Sequence, residues 1–514
     1  MALFTPAERG FVEALAKLAH GNHFLPERIE FEREALGDDF IEKDLVWSVR
    51  PEVGRSRPNM AGERPNVLLL LERSQQLAHA ARERLLAGQR PVGKELDLYQ
   101  DAVIYMLYHQ SRDPLIELVT AAPAKPRRFP YYTRLLDELD HYLNLPDLKI
   151  EPRYAPAHLL ASFYQVHRAF HHIFRHIVGT SMPAARLRGA VWQSIFTKDM
   201  RRYLRCLHDQ MRNFTTLIVG PSGTGKELVA RAVALSRYIP FDPRTQTFAA
   251  DFHDLFHPLN LSALSPTLIE SELFGHRRGA FTGALDDRPG WLEVCGPLGS
   301  VFLDEVGEID AAIQVKLLRV LQTRTFQRLG DTETHHFEGK IMAATNRDLA
   351  KEMRERRIRG DFYYRLCSDM IVTPSLEEIL KDSPEELRNL VLFIAHRMVA
   401  RGAGASADEA EQLADEVENW IGRHLGRTYT WPGNFRELEQ CVANVLIRGE
   451  YNPTDAAAAD TRDDLAQAVC TGRLTADQLL RRYCRLVYEQ TGSYEETARR
   501  LGIDRRTVKA KACS

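Results

Sequence analysis

Three short runs in this 514-residue chain hold residue types suited to phosphate chemistry. The first is Gly220-Pro221-Ser222-Gly223-Thr224-Gly225-Lys226-Glu227. Its glycines allow backbone N–H groups to curl around phosphate oxygens, and Lys226 is placed to reach the terminal phosphates. The strict pattern has Ser or Thr after the lysine to hold magnesium. Glu227 stands there instead, so a plain glycine turn is the competing reading. The second run is Gly299–Glu305, an apolar stretch that delivers Asp304 and Glu305. The first carboxylate can hold a magnesium ion and the second can polarise an attacking water, although an acidic turn after a core strand would look similar. The third is Ile341–Arg347, where the amide of Asn346 can hydrogen-bond the γ-phosphate or the lytic water.

Such groups need elements to hold them. Thr215–Val219 is β-branched and apolar and reads as a buried strand, and Leu228–Val233 reads as the helix after the loop. Its N-terminus would add partial positive charge beside the phosphates. Further strands are expected at Val301–Leu303 and Ile341–Ala344, with a helix at Ala311–Thr323 between them. This alternation implies α/β architecture with a mostly parallel sheet covered on both faces. Residues 1 to about 175 show only helical periodicity, at Pro6–His20, Val67–Ala87, Lys94–His109, Tyr131–Leu143 and Ala157–Ile177. Arg50–Pro65 and Ala121–Pro130 read as loops, and no strand-helix alternation suggests a receiver domain. An Arg-rich helical connection, Ala184–Arg212, leads to the first strand. From Leu376 to about Gly449 the pattern is again helical, 453–464 reads as a linker, and a last helical block starts at Thr475.

Bulk properties narrow the function classes. A formal net charge of −2 excludes a chain that binds polyanions with its whole surface, so nucleic-acid contact needs a local basic patch. The seven cysteines, none at C-x-x-C spacing, fit reduced thiols in a cytoplasm and neither a zinc site nor a disulfide framework. No apolar run near the start approaches a membrane span. Thr5, Pro6 and Glu8 read as a helix start rather than a leader. His158, His167, His171, His172 and His176 crowd one helix; the 167/171 and 172/176 pairs could share a face and hold a metal, but packing is the simpler account.

Two adjoining runs make a resemblance plain: Glu270–His276 (ESELFGH) followed by Gly279-Ala280-Phe281-Thr282-Gly283-Ala284. With Leu303–Glu308, Lys316–Gln322, Ala343–Asp348 and Trp431–Glu439, the chain resembles the bacterial enhancer-binding proteins, AAA+ activators of sigma-54 RNA polymerase. The resemblance covers roughly 177–450. It implies an AAA+ P-loop core at 177–374, a helical lid at 375–450, a linker at 451–474 and a helical regulatory region at 1–176. It further implies that Gly220–Glu227 binds ATP, with Glu227 usual for the family, that Asp304 serves Mg2+ and that Glu305 activates water. Asn260 would restrain that glutamate, Asn346 would sense the phosphate, Arg359 and Arg365 would reach a neighbouring subunit's nucleotide, and Arg436 would sense it from the lid. Gly279–Ala284 would contact sigma-54, and a homo-oligomeric ring, by family likeness a hexamer, would form in the cytoplasm without a membrane.

The tail 475–514 resembles, more weakly, the family's Fis-type helix-turn-helix DNA-binding end. Gly502 makes the turn, Asp504 caps, and Arg505, Arg506, Thr507 and Lys509 lie on the second helix, with six Arg/Lys against three Asp/Glu over 494–514. A solvent-exposed Phe281 on a mobile loop is costly unless it docks a partner. Three departures stand out: Thr373–Glu378 lacks the basic residues the family shows there, Tyr238–Pro258 is unusual, and so is the long connection before Thr215. The rivals to an activator are an AAA+ machine with another client and a non-hydrolysing nucleotide switch or DNA-binding regulator.

Overall fold

The computed structural model describes residues 2–42, 64–121, 127–146, 148–399, 407–426, 429–453 and 475–512. Most of the expected 451–474 linker and 50–65 loop lies outside them, as do Cys470 and Cys513. The chain forms two compact units, Met1–Val442 and Ala443–Ser514.

The first unit opens with α1 (Pro6–His20), started by the reciprocal cap that its sequence announces: Glu8 N donates to Thr5 Oγ1 and Thr5 N to the Glu8 carboxylate. Next come α2 (Glu27–Leu36), α3 (Pro65–Leu86), α4 (Glu95–Gln110), α5 (Arg112–Thr120), α6 (Tyr131–Leu143) and α7 (Pro156–His176). Periodicity locates five of these within two residues and misses α2 and α5. In α2 the buried i, i+4 pair is Arg28 and Glu32, so its inward stripe is charged. The expected helical connection over Ala184–Arg212 is broken rather than continuous: α8 (Met182–Phe196) stops at Thr197, whose φ of 65° no helix accepts, and short helical turns follow at Met200–Arg202, Tyr203–Leu207 and Gln210–Asn213.

Five parallel strands then form one sheet: β1 (Thr216–Val219), β2 (Phe256–Asn260), β3 (Ser300–Asp304), β4 (Lys340–Thr345) and β5 (Asp369–Val372), in the order β5-β1-β4-β3-β2. Ile218 pairs with Ala344 and Ile371, and Asn260 with Asp304. The crossovers contain α9 (Lys226–Leu235), α10 (Pro266–Phe274), α11 (Ala311–Thr323), α12 (Leu349–Arg354) and α13 (Gly360–Leu366). Strand residues alternate between two cores. Leu217, Val301, Leu303 and Ile341 face a core with α10 and α11, while Ile218, Phe302, Met342 and Ile371 face a core shared with α1 and α3 to α8. The N-terminal helices therefore extend the core on that side, with α7 packed on α8 and α9, which cover the sheet.

The unusual stretch Tyr238–Pro258 has a structural use. It makes a small hairpin, Phe241–Asp242 with Thr247–Phe248, that receives the N-terminal region. Phe129 N donates to Gln246 O at 2.7 Å, and Phe248 packs on Tyr164 of α7 with ring centroids 4.2 Å apart. After β5 come α14 (Leu376–Asp382), α15 (Glu386–Val399), α16 (Ala407–His424) and α17 (Asn434–Arg448). The C-terminal unit contains α18 (Ala476–Thr491), α19 (Tyr494–Leu501) and α20 (Arg505–Ala512), packed around Cys484, Val487, Thr497 and Val508.

Candidate nucleotide site and partner loop

The glycine-rich run leaves β1 and enters α9 with Gly220, Gly223 and Gly225 at φ of 154°, 79° and 83°. Two of these positions also forbid a side chain sterically. A Cβ on Gly220 would lie 2.1 Å from Thr373 Oγ1, and one on Gly223 would lie 2.3 Å from Gly433 O. Lys226 is the first residue of α9, and its Nζ donates to Gly220 O (3.0 Å) and Pro221 O (3.1 Å). Burial lowers its pKa, against the attraction of Glu305 and Asp304. Glu227 is exposed and pairs with Arg231 at 3.3 Å.

Residues from the lid side grip the same loop. Asn434 Nδ2 donates to Ser222 O (2.9 Å), Phe435 N donates to Gly223 O (3.1 Å), and Arg436 Nη1 reaches Ser222 Oγ (3.3 Å). Thr373, directly after β5, is 2.7 Å from Thr224 Oγ1 and donates to Val219 O. Thr373 and Asn434 are site residues that sequence reasoning passed over. The departure at Thr373–Glu378 and the Trp431–Glu439 motif contained them, but nothing local tied either to a loop more than 140 residues away. Beside the loop lies an apolar cavity of about 100 Å³ whose walls include Ile177, Leu228, Leu390 and Phe435. Arg188, buried, fixes its edge by donating to Ile177 O (3.1 Å) and Gly179 O (3.0 Å).

Asp304 ends β3 and Glu305 follows with φ of 56°, a left-handed turn that carries its carboxylate out of the strand. Asn346 N lies 3.4 Å from Glu305 Oε2, so the tips of β3 and β4 meet as the motifs require. Burial raises the Asp304 carboxyl, and the like charges of Glu305 and Glu227 add to this. The adjacent carboxylates of Asp304 and Glu305 beside Lys226 have the donor chemistry to take up a divalent cation. Asn260 is in register with Asp304, but its Oδ1 accepts from Ser262 N and Oγ (3.0 and 2.8 Å), and among the described residues no hydrogen bond joins it to Glu305. Arg359 is the N-cap of α13 and is ion-paired to Asp361 at 2.8 Å. Arg365, on the last turn of α13, is exposed, and among the described residues no ion pair holds it.

The loop Gly279–Ala284 closes on itself. Gly279 N donates to Ala284 O (2.9 Å) and Ala284 N to Phe281 O (3.0 Å), with φ of 81° and 101° at Gly279 and Gly283. Thr282 is exposed. Phe281 is half-buried rather than fully exposed as its sequence suggests: its ring meets His276 edge-on at 5.0 Å, which removes part of its apolar area from water. Arg277 fixes the loop's base through Asp287 (2.7 Å) and Asp331 (2.8 Å). His276 Nδ1 in turn meets Ser271 Oγ at 2.8 Å, so the loop is wired to α10.

The five histidines of α7 are a packed group. His167, His171 and His172 are buried, and burial lowers the pKa of all five. Among the described residues the one cluster with metal-ligand spacing is Asp331, Glu333 and His335, and Arg277 already pairs with its two acids. In the C-terminal unit Asp504 accepts from Arg506 N (2.7 Å), α19 ends at Gly502 with φ of 65°, and Arg505 pairs with Glu495 (2.8 Å). Arg506 and Lys509 are exposed and Thr507 is half-buried. No described helix is long and apolar enough to cross a membrane.

The profile of the Sigma-54 interaction domain matches residues 194–372, which contain the sheet, both acidic positions and the Gly279–Ala284 loop. The Escherichia coli (strain K12) transcriptional regulatory protein ZraR is 39% identical over 304 residues, 58% of this chain and 62% of ZraR. The Nif-specific regulatory protein of Azotobacter vinelandii is 41% identical over 259 residues, 49% of this chain and 44% of its own. The Sigma54-dependent transcriptional activator SfnR of Pseudomonas putida is 36% identical over 286 residues, 55% of this chain and 71% of SfnR. The chain thus spans less than two thirds of ZraR. A crystal structure of NtrX from Brucella abortus in complex with ATP aligns with 73% of this chain and 78% of its own, at 20% identity and a TM-score of 0.38. The α/β core is an AAA+ fold with a helical lid, and this chain belongs to the family of sigma-54-dependent transcriptional activators.

Proposed function

We propose that this protein hydrolyses ATP between subunits of a ring, a hexamer by family likeness. The energy would remodel sigma-54 RNA polymerase through Gly279–Ala284, while α19 and α20 hold enhancer-like DNA in the cytoplasm. The observation that carries this reading is the joining of Lys226, Asp304, Glu305 and Asn346 at the tips of three neighbouring strands, with Arg436 reaching the loop from the lid side.

On ATP binding, Lys226 leaves the carbonyls of Gly220 and Pro221 for the phosphates, and the loop N–H groups line the rest of the chain of oxygens. Asp304 would hold Mg2+, which when bound would supply charge neutralisation at the phosphates. Glu305 orients and polarises the water, Asn346 donates to the γ-phosphate, and Asn260 swings from Ser262 to restrain Glu305. Arg365 is the better-placed finger for a neighbour's nucleotide, because Arg359 must first release Asp361. Arg505, Arg506, Thr507 and Lys509 face phosphates and the major groove.

The test compares wild type, Glu305→Ala and Thr282→Ala in ATP hydrolysis and in sigma-54 open-complex formation. Glu305→Ala should lose both. Thr282→Ala should keep hydrolysis and lose activation. An activating Thr282→Ala enzyme would sink the sigma-54 assignment and leave another client as the better reading.

A further inference from the structure

Another cavity, of about 40 Å³, lies at the end of the sheet opposite the phosphate loop. Its walls come from the residues that lead into three strands: Met211 and Arg212 before β1, Pro297 and Leu298 before β3, and Lys340 at the start of β4. Arg237, just past α9, adds to them.

Four cations meet here. Lys340 is buried, and its ammonium donates to Met211 O (3.2 Å) and Phe214 O (2.8 Å), which leaves one N–H over. Arg237 donates through Nη1 to Leu298 O (2.8 Å) and through Nη2 to Pro297 O (3.1 Å), and its Nε has no partner among the described residues. Arg324, behind them, donates to Gly339 O (3.0 Å) and Arg212 O (2.7 Å). Arg212 itself is half-buried. Among the described residues its guanidinium makes no hydrogen bond or ion pair, and its nitrogens are not sealed from water. Carbonyls hold the other three groups by partial charge, but among the described residues no carboxylate pairs with any of the four. Asp209, on the wall, is 3.4 Å from His208, and Asp369 accepts from Ser194 Oγ (2.5 Å) and Thr216 Oγ1 (2.9 Å). The cost of crowding cations shows at Lys340: burial, opposed by Asp369 and aided by Arg237 and Arg324, pushes it down to about 7.

We infer that this cavity is a binding site for a tetrahedral dianion, either inorganic phosphate or the head group of a phosphate monoester, held by the Arg212 guanidinium, Arg237 Nε and the spare N–H of Lys340. A dianion supplies the countercharge that the four cations lack, and the Arg212 fork can grip two of its oxygens at once. A cation is repelled, and an apolar molecule would strip water from the guanidinium without replacing its bonds. The space is about three times the roughly 10–15 Å³ that one water needs, which suits an anion of this size. The site is separate from the nucleotide site, because β4 runs about 20 Å from Lys340 to the strand tip that carries Asn346. Binding here does not depend on the ATPase reading.

Equilibrium dialysis of the full chain against radiolabelled inorganic phosphate tests this, with a non-hydrolysable ATP analogue and Mg2+ present to fill the phosphate loop. One saturable phosphate per chain should remain, sulfate should displace it, and nitrate, with a single charge, should be weaker by about ten-fold or more. Glycerol 3-phosphate is the second arm: displacement tighter than by phosphate assigns the monoester, weaker displacement assigns free phosphate, and both support the site. Arg212→Gln removes no side-chain contact of the fold and should weaken phosphate by about ten-fold or more, the scale of a lost charge-assisted bond. Arg205→Gln, an exposed cation on the same segment outside the cavity, should leave affinity within about two-fold. Lys226→Ala without the analogue should show the same site, so the result stands even if the nucleotide reading fails. No saturable phosphate in either setting, nitrate as tight as phosphate, unaltered binding by Arg212→Gln, or an equal loss in Arg205→Gln would each overturn the assignment.

Discussion

Arg168→Met tests whether α7 anchors the phosphate-loop helix. Arg168 is fully buried, and its guanidinium donates to Leu235 O at 2.8 Å and to Arg237 O, while lying over the rings of Tyr164 (4.5 Å) and Phe252 (5.6 Å). Methionine keeps much of the volume and loses the charge. Two charge-assisted bonds to buried carbonyls are worth roughly 1.5–3 kcal/mol each. The ring contacts and the cation at a helix C-terminus add about 1–2 kcal/mol. Against this stands relief of desolvation. Burial pulls the guanidinium from its usual value down to about 10, a cost of about 3 kcal/mol that methionine escapes. The losses win, and the net destabilisation comes to about 1–5 kcal/mol. Urea unfolding followed by far-UV circular dichroism should show the midpoint falling accordingly, with Arg168→Lys in between. A midpoint unchanged or raised, as happens when some buried charges are exchanged for apolar side chains, would refute the anchoring role.

Other perturbations probe separate parts. Thr373→Val removes the contact with Thr224 Oγ1 at 2.7 Å, so affinity for a fluorescent ATP analogue should fall by roughly three- to ten-fold, the range of about 1 kcal/mol; an unaltered affinity would show that Thr373 only fills space. Arg365→Ala should cut ATP turnover by about 10³-fold or more, the scale of a lost arginine finger, and subunit mixing with Glu305→Gln should restore part of it; turnover near wild type would remove Arg365 from the site. Burial holds His171 and His176 at about 4 in the folded chain, below the roughly 6.5 of an unfolded histidine. The unfolded state then binds more protons in this window, so stability is intact above pH 6.5 and drains away as pH falls through about 4; a urea midpoint flat from pH 7 to 4 would contradict that burial. Arg506→Ala should weaken DNA binding and lower the salt slope by about 1, whereas Arg505→Ala should do less because Glu495 already occupies it at 2.8 Å; equal effects would reject the asymmetry.

Much of this molecule is legible in its residues where local physics decides. Thr5 and Glu8 announce the start of α1, and the apolar run at Ile341 the strand that ends in Asn346. The phosphate-loop glycines announce positive φ by their type and spacing alone. What local reading misses depends on partners distant in sequence. Helix α2 hides because its inward stripe is Arg28 and Glu32, a pattern that looks like a solvated face until α4 and α7 surround it. Thr373 looks like an ordinary residue after an edge strand, and only the return of the chain to Gly220 makes it part of the site. Phe281 reads as an exposed tip because His276, its cover, belongs to a motif with another apparent purpose. The histidines of α7 alternate with Phe and Leu and mimic a metal-binding face, yet they serve as uncharged packing between the N-terminal helices and the sheet's cover.

The core shared by the N-terminal helices and one face of the sheet has a consequence for how the protein is made. His158, Gln165 and Arg168 find their partners at Tyr238, Ser236 and Leu235, between 67 and 80 residues later in the chain. When α7 leaves the ribosome, the carbonyls that neutralise its buried guanidinium have not yet been synthesised. The N-terminal region cannot close its core until β1 and α9 emerge, so maturation of the first 176 residues waits for the phosphate loop. The boundary at about residue 194, where similarity to the Sigma-54 interaction domain begins, therefore divides the sequence without dividing the fold. A fragment cut there would expose an apolar face on either side of the cut, and swapping this region between relatives would mean exchanging half of a hydrophobic core rather than a separable sensor.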